Sequence, residues 1–293
     1  MEHHLAPFFS RVGSKSSLYR HILPFIPQTT TYIEPFCGGM SIFLKKVKSK
    51  INILNDIDTK LIADYKLLLE NDYNKKYILE RIHKWVANTE KNDRMPAEAH
   101  EFALMRGNYD ANNKNDVLIR ALLCRNYVFG GIPCNKIRLY GKRGCFSLRK
   151  INNLEKYREK FNNVKFFSVD YHTLLEKYKN NDDCFVYLDP PYNDSGDFYS
   201  NASIDYEKLA ILLKKCKFKF MMSIHDNPII ISMFKWCEIH RITFINKSKR
   251  GLTNKNRKEL LITNYDYIKY EDKIGIPKRY MERINTIAIE KIV

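Results

Sequence analysis

The sequence predicts an α/β fold with a mostly parallel sheet, and two observations predict it. Short apolar runs of strand length alternate along the 293 residues with segments of helical spacing. Most of these runs are apolar throughout, which is typical of strands that are covered on both faces. The predicted strands are seven: 30–34, 51–55, 164–169, 185–188, 218–224, 239–245 and 259–264.

Helices are predicted between the strands. Leu61, Ile62 and Tyr65 recur at the spacing of one helix face. Asp205 is suited to cap a helix, and Pro228 is suited to the first turn of another. The predicted helices are 41–46, 60–70, 206–215 and 229–235.

The alternation stops between about 75 and 160. This stretch contains amphipathic helical patterns, and a loop rich in Gly, Arg and Lys follows at 130–150. The pattern predicts an inserted lobe that contacts the substrate. The predicted organisation is a core of 1–74 and 161–293 with an insert of 75–160; the predicted insert helices are 77–87, 96–109 and 116–129.

Composition restricts the partners and the compartment. The formal net charge of +17 indicates a polyanionic partner, with nucleic acid first and an acidic membrane surface second, although a bias toward AT-rich codons would also raise the lysine content. The seven Cys are odd in number and form no CxxC pair, which argues against a disulfide framework or a zinc site and for a reducing compartment. No apolar run approaches the roughly 18–20 residues of a membrane span, and the N-terminus lacks the pattern of a signal peptide.

The segment Glu34-Pro35-Phe36-Cys37-Gly38-Gly39 follows the first predicted strand. It places an acid and a tight Gly-Gly turn at the carboxyl edge of the sheet, where ligands of doubly wound folds bind. It is not GxGxxG and has no Walker lysine, so pyrophosphate binding is not indicated.

Asp56 ends the second predicted strand, 22 positions after Glu34. An acid at the tip of this strand is the usual partner of a ribose hydroxyl pair. The alternative is that Asp56 or Asp58 caps the following helix.

The segment Asp189-Pro190-Pro191-Tyr192 ends the apolar strand that precedes it. Each proline fixes its own φ and keeps the residue before it extended, and neither proline has an amide hydrogen. The segment therefore presents acceptors, the Asp189 carboxylate and the Pro190 carbonyl, that suit a planar NH2 group. Tyr192 adds a flat face on which a base can stack.

Together these segments resemble the Dam-like DNA adenine methyltransferases of the D12 class (α group), and the resemblance covers nearly the whole chain. Gly13-Ser14-Lys15 is similar to the family's opening motif, and 34–39 is similar to its cofactor loop. Asp189 to Tyr192 match its catalytic DPPY motif residue for residue. The resemblance implies a Rossmann-like class I methyltransferase core with a seven-stranded sheet, and a small helical target-recognition insert.

The resemblance also implies functional residues. Asp56 corresponds to the acid that binds the cofactor's ribose, and Asp170 to an acid that contacts its adenine. Arg11 stands where relatives often have an aromatic residue. The implied catalytic residues are Asp189, Pro190, Pro191 and Tyr192; the implied cofactor-binding residues are Arg11, Gly13, Lys15, Glu34, Phe36, Cys37, Gly38, Gly39, Asp56, Asp170 and Asp189.

The implied reaction transfers a methyl group from S-adenosylmethionine to N6 of adenine, leaves S-adenosylhomocysteine, and needs no metal. Acceptors at Asp189 and Pro190 would pull the amino nitrogen toward tetrahedral geometry, so that its lone pair can attack the methyl group in line. A paired adenine must first be flipped out of the duplex. The residues expected to contact DNA are Lys15, Asn126, Arg138, Lys142, Arg143, Arg149, Lys249, Arg250 and Arg257, and any single basic side chain among them could equally be a solvated surface charge.

Several alternatives stay open at this point. Methylation of cytosine N4 needs similar chemistry, but its enzymes usually have Ser where Asp189 stands; RNA adenine methylation and a non-catalytic DNA-binding relative are further alternatives. His225 and Asp226 follow a strand at the same edge, where a site role and a structural hydrogen bond are both open. Double-stranded DNA is the expected partner, a restriction endonuclease is a candidate second partner, and no membrane partner is expected. The expected location is the cytoplasm, or the nucleus or cytoplasm of a host if the source is viral; the oligomeric state is left open.

Overall fold

The chain divides into two compact units in a computed structural model. The sheet unit comprises Ser17–Cys37, Lys46–Ile57 and Val164–Val293; the helical unit comprises Met1–Ser16, Gly38–Lys45 and Asp58–Asn163. This division into units does not test the predicted domain boundaries at 74 and 160, which stay predictions. The residues described are 5–11, 13–69, 73–89, 110–127, 148–191, 204–246, 255–266 and 288–292.

The described residues of the sheet unit form one sheet of eight strands in the order β3-β2-β1-β4-β5-β7-β6-β8. Strands β1 to β5 pair in parallel, and the three ladders that join β5, β7, β6 and β8 are antiparallel. The strands are β1 Thr31–Glu34, β2 Ile51–Asn55, β3 Val164–Phe167, β4 Cys184–Leu188, β5 Lys219–His225, β6 Glu238–Asn246, β7 Lys255–Thr263 and β8 Ala288–Lys291.

The predicted mostly parallel sheet is confirmed, and all seven predicted strands are present in it. The structure adds β8, which pairs with β6 at the edge of the sheet. Its four residues, Ala-Ile-Glu-Lys, contain no apolar run, and the strand forms by backbone pairing with β6. Pattern reasoning detects strands by their buried face, so it missed this one.

Apolar side chains on one face of the central strands form the core of the sheet unit. Ile33, Ile53 and Val186 meet there, and each is fully buried. Helices α7 to α9 of the sheet unit cover this face with leucine and isoleucine side chains. Their bounds are α7 Tyr171–Tyr178, α8 Tyr206–Lys214 and α9 Pro228–Met233; the four-residue helix α1 Tyr19–Ile22 and a 3-10 turn Leu23–Phe25 precede β1.

Short polar side chains begin these covering helices, as the sequence predicts. Asp205 accepts a hydrogen bond from the Lys208 amide and caps α8. Asn227 caps α9 in the same way, and Pro228 occupies its first turn. Each cap satisfies an amide that has no partner within its own helix.

The helical unit contains five helices in its described part. Helix α4 packs against α2 and α3, and α5 packs against α3 and α6. The predicted helix 96–109 lies outside the described residues. The helices are α2 Thr59–Leu67, α3 Lys75–Thr89, α4 Lys114–Tyr127, α5 Leu148–Asn152 and α6 Leu154–Phe161.

The predicted helix over 41–46 is wrong, because the chain forms only turns there. The Lys45 amide bonds to the Ile42 carbonyl at 3.0 Å rather than to the Ser41 carbonyl. The Lys45 ammonium takes the Ser41 carbonyl instead, at 3.1 Å. The carbonyl that the Lys45 amide would bond in a helix is therefore bonded by the Lys45 side chain.

The cysteines within the described residues are not joined by disulfides. Five cysteines in this part of the chain are free thiols. Burial raises the pKa of Cys184, Cys216 and Cys237 to about 12, so these thiols stay protonated near neutral pH. The described side chains contain no group of three or more potential metal ligands. None of the helices described is long and apolar enough to cross a membrane.

Replacing Asp205 by Ala should lower the free energy of unfolding by about 1 kcal/mol, because the Lys208 amide loses its acceptor. Urea unfolding followed by circular dichroism measures the change. The control is Lys208→Ala, which keeps the amide and should change stability by less than about 0.5 kcal/mol. Equal effects of the two substitutions would contradict the capping role.

Candidate cofactor and catalytic site

The carboxyl end of β1 presents a buried acid. Glu34 is 2% exposed and accepts a hydrogen bond from the Tyr32 hydroxyl at 2.6 Å. Burial, and then the charge of Glu34, raise the pKa of Tyr32 well above its ordinary value. Tyr32 therefore stays protonated and donates, which stabilises the Glu34 carboxylate at the position predicted to bind the cofactor.

The carboxyl end of β2 presents Asp56, which is 9% exposed. Its backbone is fastened to the end of β3, because the Ser168 hydroxyl donates to the Asp56 carbonyl at 2.8 Å. The capping alternative applies to Asp58, whose carboxylate accepts from the Leu61 amide at 2.9 Å and begins α2. The ribose-binding role of Asp56 stays a prediction.

Strand β3 is followed by the predicted adenine contact, Asp170. The strand ends at Phe167, two residues before the predicted end. Asp170 is exposed and caps α7, since its Oδ1 accepts from the His172 and Thr173 amides at 2.9 and 3.4 Å. Beside it, the Tyr171 ring lies 5.2 Å from the ring of Phe36. The predicted residues Phe36 and Asp170 are thus brought close together by this ring pair.

Strand β4 delivers the acceptor segment to the same edge of the sheet. Its five residues are buried, and Asp189 follows, partly exposed. Pro190 is buried, and the carbonyl of Pro191 accepts from the Tyr206 hydroxyl at 2.8 Å. Tyr206 begins α8 and holds the proline segment from outside the motif. Tyr192 lies outside the described residues.

Several cofactor-site candidates belong to the helical unit. Arg11 pairs with Asp58 at 3.0 Å, and Lys15, only 3% exposed, donates to the Gly13 carbonyl at 3.2 Å. Gly13 and Gly38 have φ of 79° and 44°, a region in which side chains are strained. A Cβ on Gly39 would lie 3.4 Å from the Phe9 carbonyl oxygen.

Asn126, predicted to contact DNA, is buried in the helical unit. It is 3% exposed, and its Oδ1 accepts from the Ser10 hydroxyl at 3.0 Å and the Lys150 ammonium at 2.8 Å. Its Nδ2 donates to the Leu122 carbonyl at 2.9 Å. These contacts favour a structural role for Asn126, and the burial of Lys15 likewise does not favour a phosphate contact.

The remaining predicted DNA contacts are basic residues. Arg149 lies in α5 and Arg257 in β7, and only their backbones are described. Asp226 forms an ion pair with Arg241 at 2.8 Å, which favours the structural alternative for this acid. The predicted DNA contacts outside the described residues are Arg138, Lys142, Arg143, Lys249 and Arg250.

Pattern reasoning missed three residues at this edge of the sheet unit. Ile57 is 59% exposed beside Asp56, although isoleucine is usually buried. Tyr206 holds the Pro191 carbonyl, and Asn55 bonds the loops that follow β1 and β3. Asn55 could have been found from the sequence, because it is a polar residue at the end of an apolar strand. Nothing in the sequence links Tyr206 to Pro191.

A mostly parallel sheet with acids at the tips of β1 and β2 and Asp-Pro-Pro at the tip of β4 is the arrangement expected of an amino methyltransferase. Residues 12–246 match the family of D12 class N6 adenine-specific DNA methyltransferases. The chain belongs to this family.

Two relatives support the membership. The chain is 24% identical over 284 residues to the Modification methylase StsI of Streptococcus sanguinis, an alignment that covers 87% of this chain and 42% of the relative. It is 25% identical over 244 residues to the Type II methyltransferase M.CviBI of Paramecium bursaria Chlorella virus NC1A, with 78% of this chain and 86% of the relative covered. The chain thus spans less than half the length of StsI.

The Arg11–Asp58 pair gives the helical unit a pH-dependent stability. Burial alone would raise the pKa of Asp58, but Arg125, the Leu61 amide and Arg11 together lower it below its ordinary value of 3.8. A lowered folded pKa stabilises the fold above the unfolded pKa, and this contribution is lost as the pH falls through the folded pKa.

Asp58→Asn keeps an acceptor for the Leu61 amide and removes the charge. At pH 7 it should cost about 2 kcal/mol of unfolding free energy, because Arg125 and Arg11 lose a charged partner. The difference from the wild type should shrink as the pH falls below 3.8. Urea titrations from pH 7 downward measure it, and a difference that does not change over this range would contradict the ion-pair explanation.

Proposed function

We propose that this chain transfers a methyl group from S-adenosylmethionine to N6 of adenine in double-stranded DNA. The observation that carries the proposal is the position of Asp189-Pro190-Pro191 at the carboxyl end of β4. Strand β4 pairs directly with β1, whose end bears Glu34. An acceptor segment for an amino group and an acid of the cofactor site therefore end neighbouring strands, as direct transfer between two bound molecules requires.

The acceptor segment is suited to the amino group of a purine. The Asp189 carboxylate is partly exposed, and Pro190 is fixed by its own ring and by burial. The bond from Tyr206 to the Pro191 carbonyl restrains the next peptide. Two acceptors held on a restrained backbone can bind both N–H hydrogens without reorganising, which is the condition for electrostatic catalysis.

Proton movement follows from the same contacts. The lone pair of adenine's amino nitrogen is delocalised into the ring, which makes the nitrogen a poor nucleophile. Hydrogen bonds to Asp189 and to the Pro190 carbonyl draw the nitrogen toward tetrahedral geometry and localise its lone pair. Asp189 Oδ then accepts the proton that the nitrogen loses and passes it to water.

The sheet unit offers groups that fit S-adenosylmethionine. The Glu34 and Asp56 carboxylates suit its hydroxyl and ammonium groups, and the exposed Ile57 side chain suits a face of its purine ring. Phe36 and Asp170 extend the same edge. When bound, this cofactor supplies an electrophilic methyl group on a positively charged sulfur, which carboxylates attract. Arg11, Gly13, Lys15, Cys37, Gly38 and Gly39 stay cofactor-site predictions.

The DNA contacts are proposed from charge. A chain of +17 is attracted to a polyanion, and the basic segments 130–150 and 247–257 are proposed to contact phosphates. The target adenine would be flipped toward Asp189. A restriction endonuclease is the proposed partner in the cell, and a cytoplasmic location, or a host compartment for a viral source, accompanies that role.

The reaction is tested by incubating the chain with labelled S-adenosylmethionine and unmodified double-stranded DNA, then digesting the DNA for nucleoside mass spectrometry. N6-methyladenine is expected. N4-methylcytosine as the product would show that the methylated base is cytosine and not adenine. Methylation of RNA alone would show that the substrate is RNA and not DNA. DNA binding without any methylated product would leave a non-catalytic DNA-binding protein.

Asp189→Ala should abolish methyl transfer, with a fall in kcat of about 100-fold or more, because an acceptor of the amino group is lost. Binding of S-adenosylhomocysteine, measured by calorimetry, should persist, because the other residues implied in cofactor binding are unchanged. The matched control is Asp183→Ala at the other end of β4, where the side chain accepts from the Thr30 amide at 2.9 Å. The control should keep wild-type kcat, and near-normal turnover by Asp189→Ala would refute the catalytic assignment.

A further inference from the structure

Asn55 ends β2 and forms hydrogen bonds with two loops at the carboxyl edge of the sheet unit. The residue is 1% exposed. Its Nδ2 donates to the Pro35 carbonyl at 2.9 Å and to the Val169 carbonyl at 3.0 Å. Its Oδ1 accepts from the Val169 amide at 3.0 Å, and its backbone carbonyl accepts from the Cys37 amide at 2.8 Å. One buried residue therefore joins the loop after β1, the end of β2 and the loop after β3.

The bonds to Val169 take the place of backbone pairing beyond the end of the β2–β3 ladder. Backbone pairing of β2 with β3 ends at Asn55 and Phe167. Two residues later, the side-chain amide of Asn55 offers Val169 the same donor and acceptor that a further strand residue would offer. Between the end of the ladder and Val169, the Ser168 hydroxyl donates to the Asp56 carbonyl. The two loops are thus held beyond the point where the strands separate.

Each bonded residue adjoins a candidate cofactor residue. Phe36 lies between Pro35 and Cys37, and Asp56 directly follows Asn55. Asp170 directly follows Val169. Loss of any of the four bonds would displace a candidate cofactor residue, because only one peptide unit separates that residue from the bonded one.

We infer that Asn55 is the positioning residue of the cofactor site, which holds the three loops of the sheet unit in the arrangement that binds S-adenosylmethionine. This inference rests on the proposed function. Asn55 acts through Phe36, Asp56 and Asp170. Groups of this kind fix the residues that contact a ligand and determine how much of their binding energy is realised.

Strand β2 contains its own control residue. Asn52 is 2% exposed, and its Oδ1 accepts from the Ser49 amide at 3.1 Å while its Nδ2 donates to the Ser49 carbonyl at 2.7 Å. It shares the residue type, the strand, the burial and the kind of bond, but it lies at the amino end of the strand. Asn52→Ala therefore removes a comparable contribution to stability at the opposite edge.

The experiment compares Asn55→Ala and Asn52→Ala in the full chain. Binding of S-adenosylhomocysteine is measured by calorimetry, unfolding by urea, and KM and kcat in the methylation assay. Asn55→Ala should raise the Kd of S-adenosylhomocysteine and the KM of S-adenosylmethionine about tenfold or more, with kcat retained at saturating cofactor. Asn52→Ala should leave the Kd within about twofold. In hydrogen exchange, the Val169 amide should exchange faster only in Asn55→Ala.

Equal Kd values for Asn55→Ala and the wild type, or equal weakening by both variants, would overturn the inference and leave the proposed function intact. A wild-type chain that does not bind S-adenosylhomocysteine would overturn both. If Asn55→Ala does not fold, Asn55→Ser, whose hydroxyl can replace one of the lost bonds, takes its place with an intermediate Kd expected. Hydrogen exchange of the wild type then adds a second test, because S-adenosylhomocysteine should protect the amides of 36–37 and 168–171 together, and protection of one loop alone would overturn the inference.

Discussion

Parallel pairing of β1 with both β2 and β4 is the constraint on which the rest of the sheet unit depends. Ile33 lies opposite Ile53 on one side and Val186 on the other, and all three side chains are fully buried. Parallel strands end at the same edge of a sheet, so this pairing brings the tips of three strands together whatever residues follow them. The buried middle of each strand supplies stability, and the tips are left to carry polar groups.

Polar groups at those tips would be costly without partners, and the structure provides them. Glu34 accepts from Tyr32, and Asn55 uses both its donors and its acceptor on the neighbouring loops. An unsatisfied buried polar group costs about 1–3 kcal/mol, so these bonds select one arrangement of the loops against others. The proposed cofactor and amino-group contacts extend from this arrangement, which links the stability of the edge to its function.

Charged side chains in the helical unit are likewise engaged with one another. Arg125 bonds Asp64 at 2.7 Å and Asp58 at 3.3 Å, and Asp58 also bonds Arg11. Burial raises the pKa of Asp64, whereas the cations lower that of Asp58, so the two acids that share Arg125 are perturbed in opposite directions. Arg11, one of the predicted cofactor contacts, is held by this network.

The sequence by itself determined the seven core strands, the cap at Asp205 and the family, because apolar runs, short polar caps and the Asp-Pro-Pro-Tyr segment are local patterns. Tertiary structure alone decided that Asn126 is buried against Lys150 and that Asn55 joins the loops after β1 and β3. Each of these depends on a partner brought near by folding. A polar side chain in a sequence carries its donors and acceptors, but only packing determines whether they meet protein or ligand.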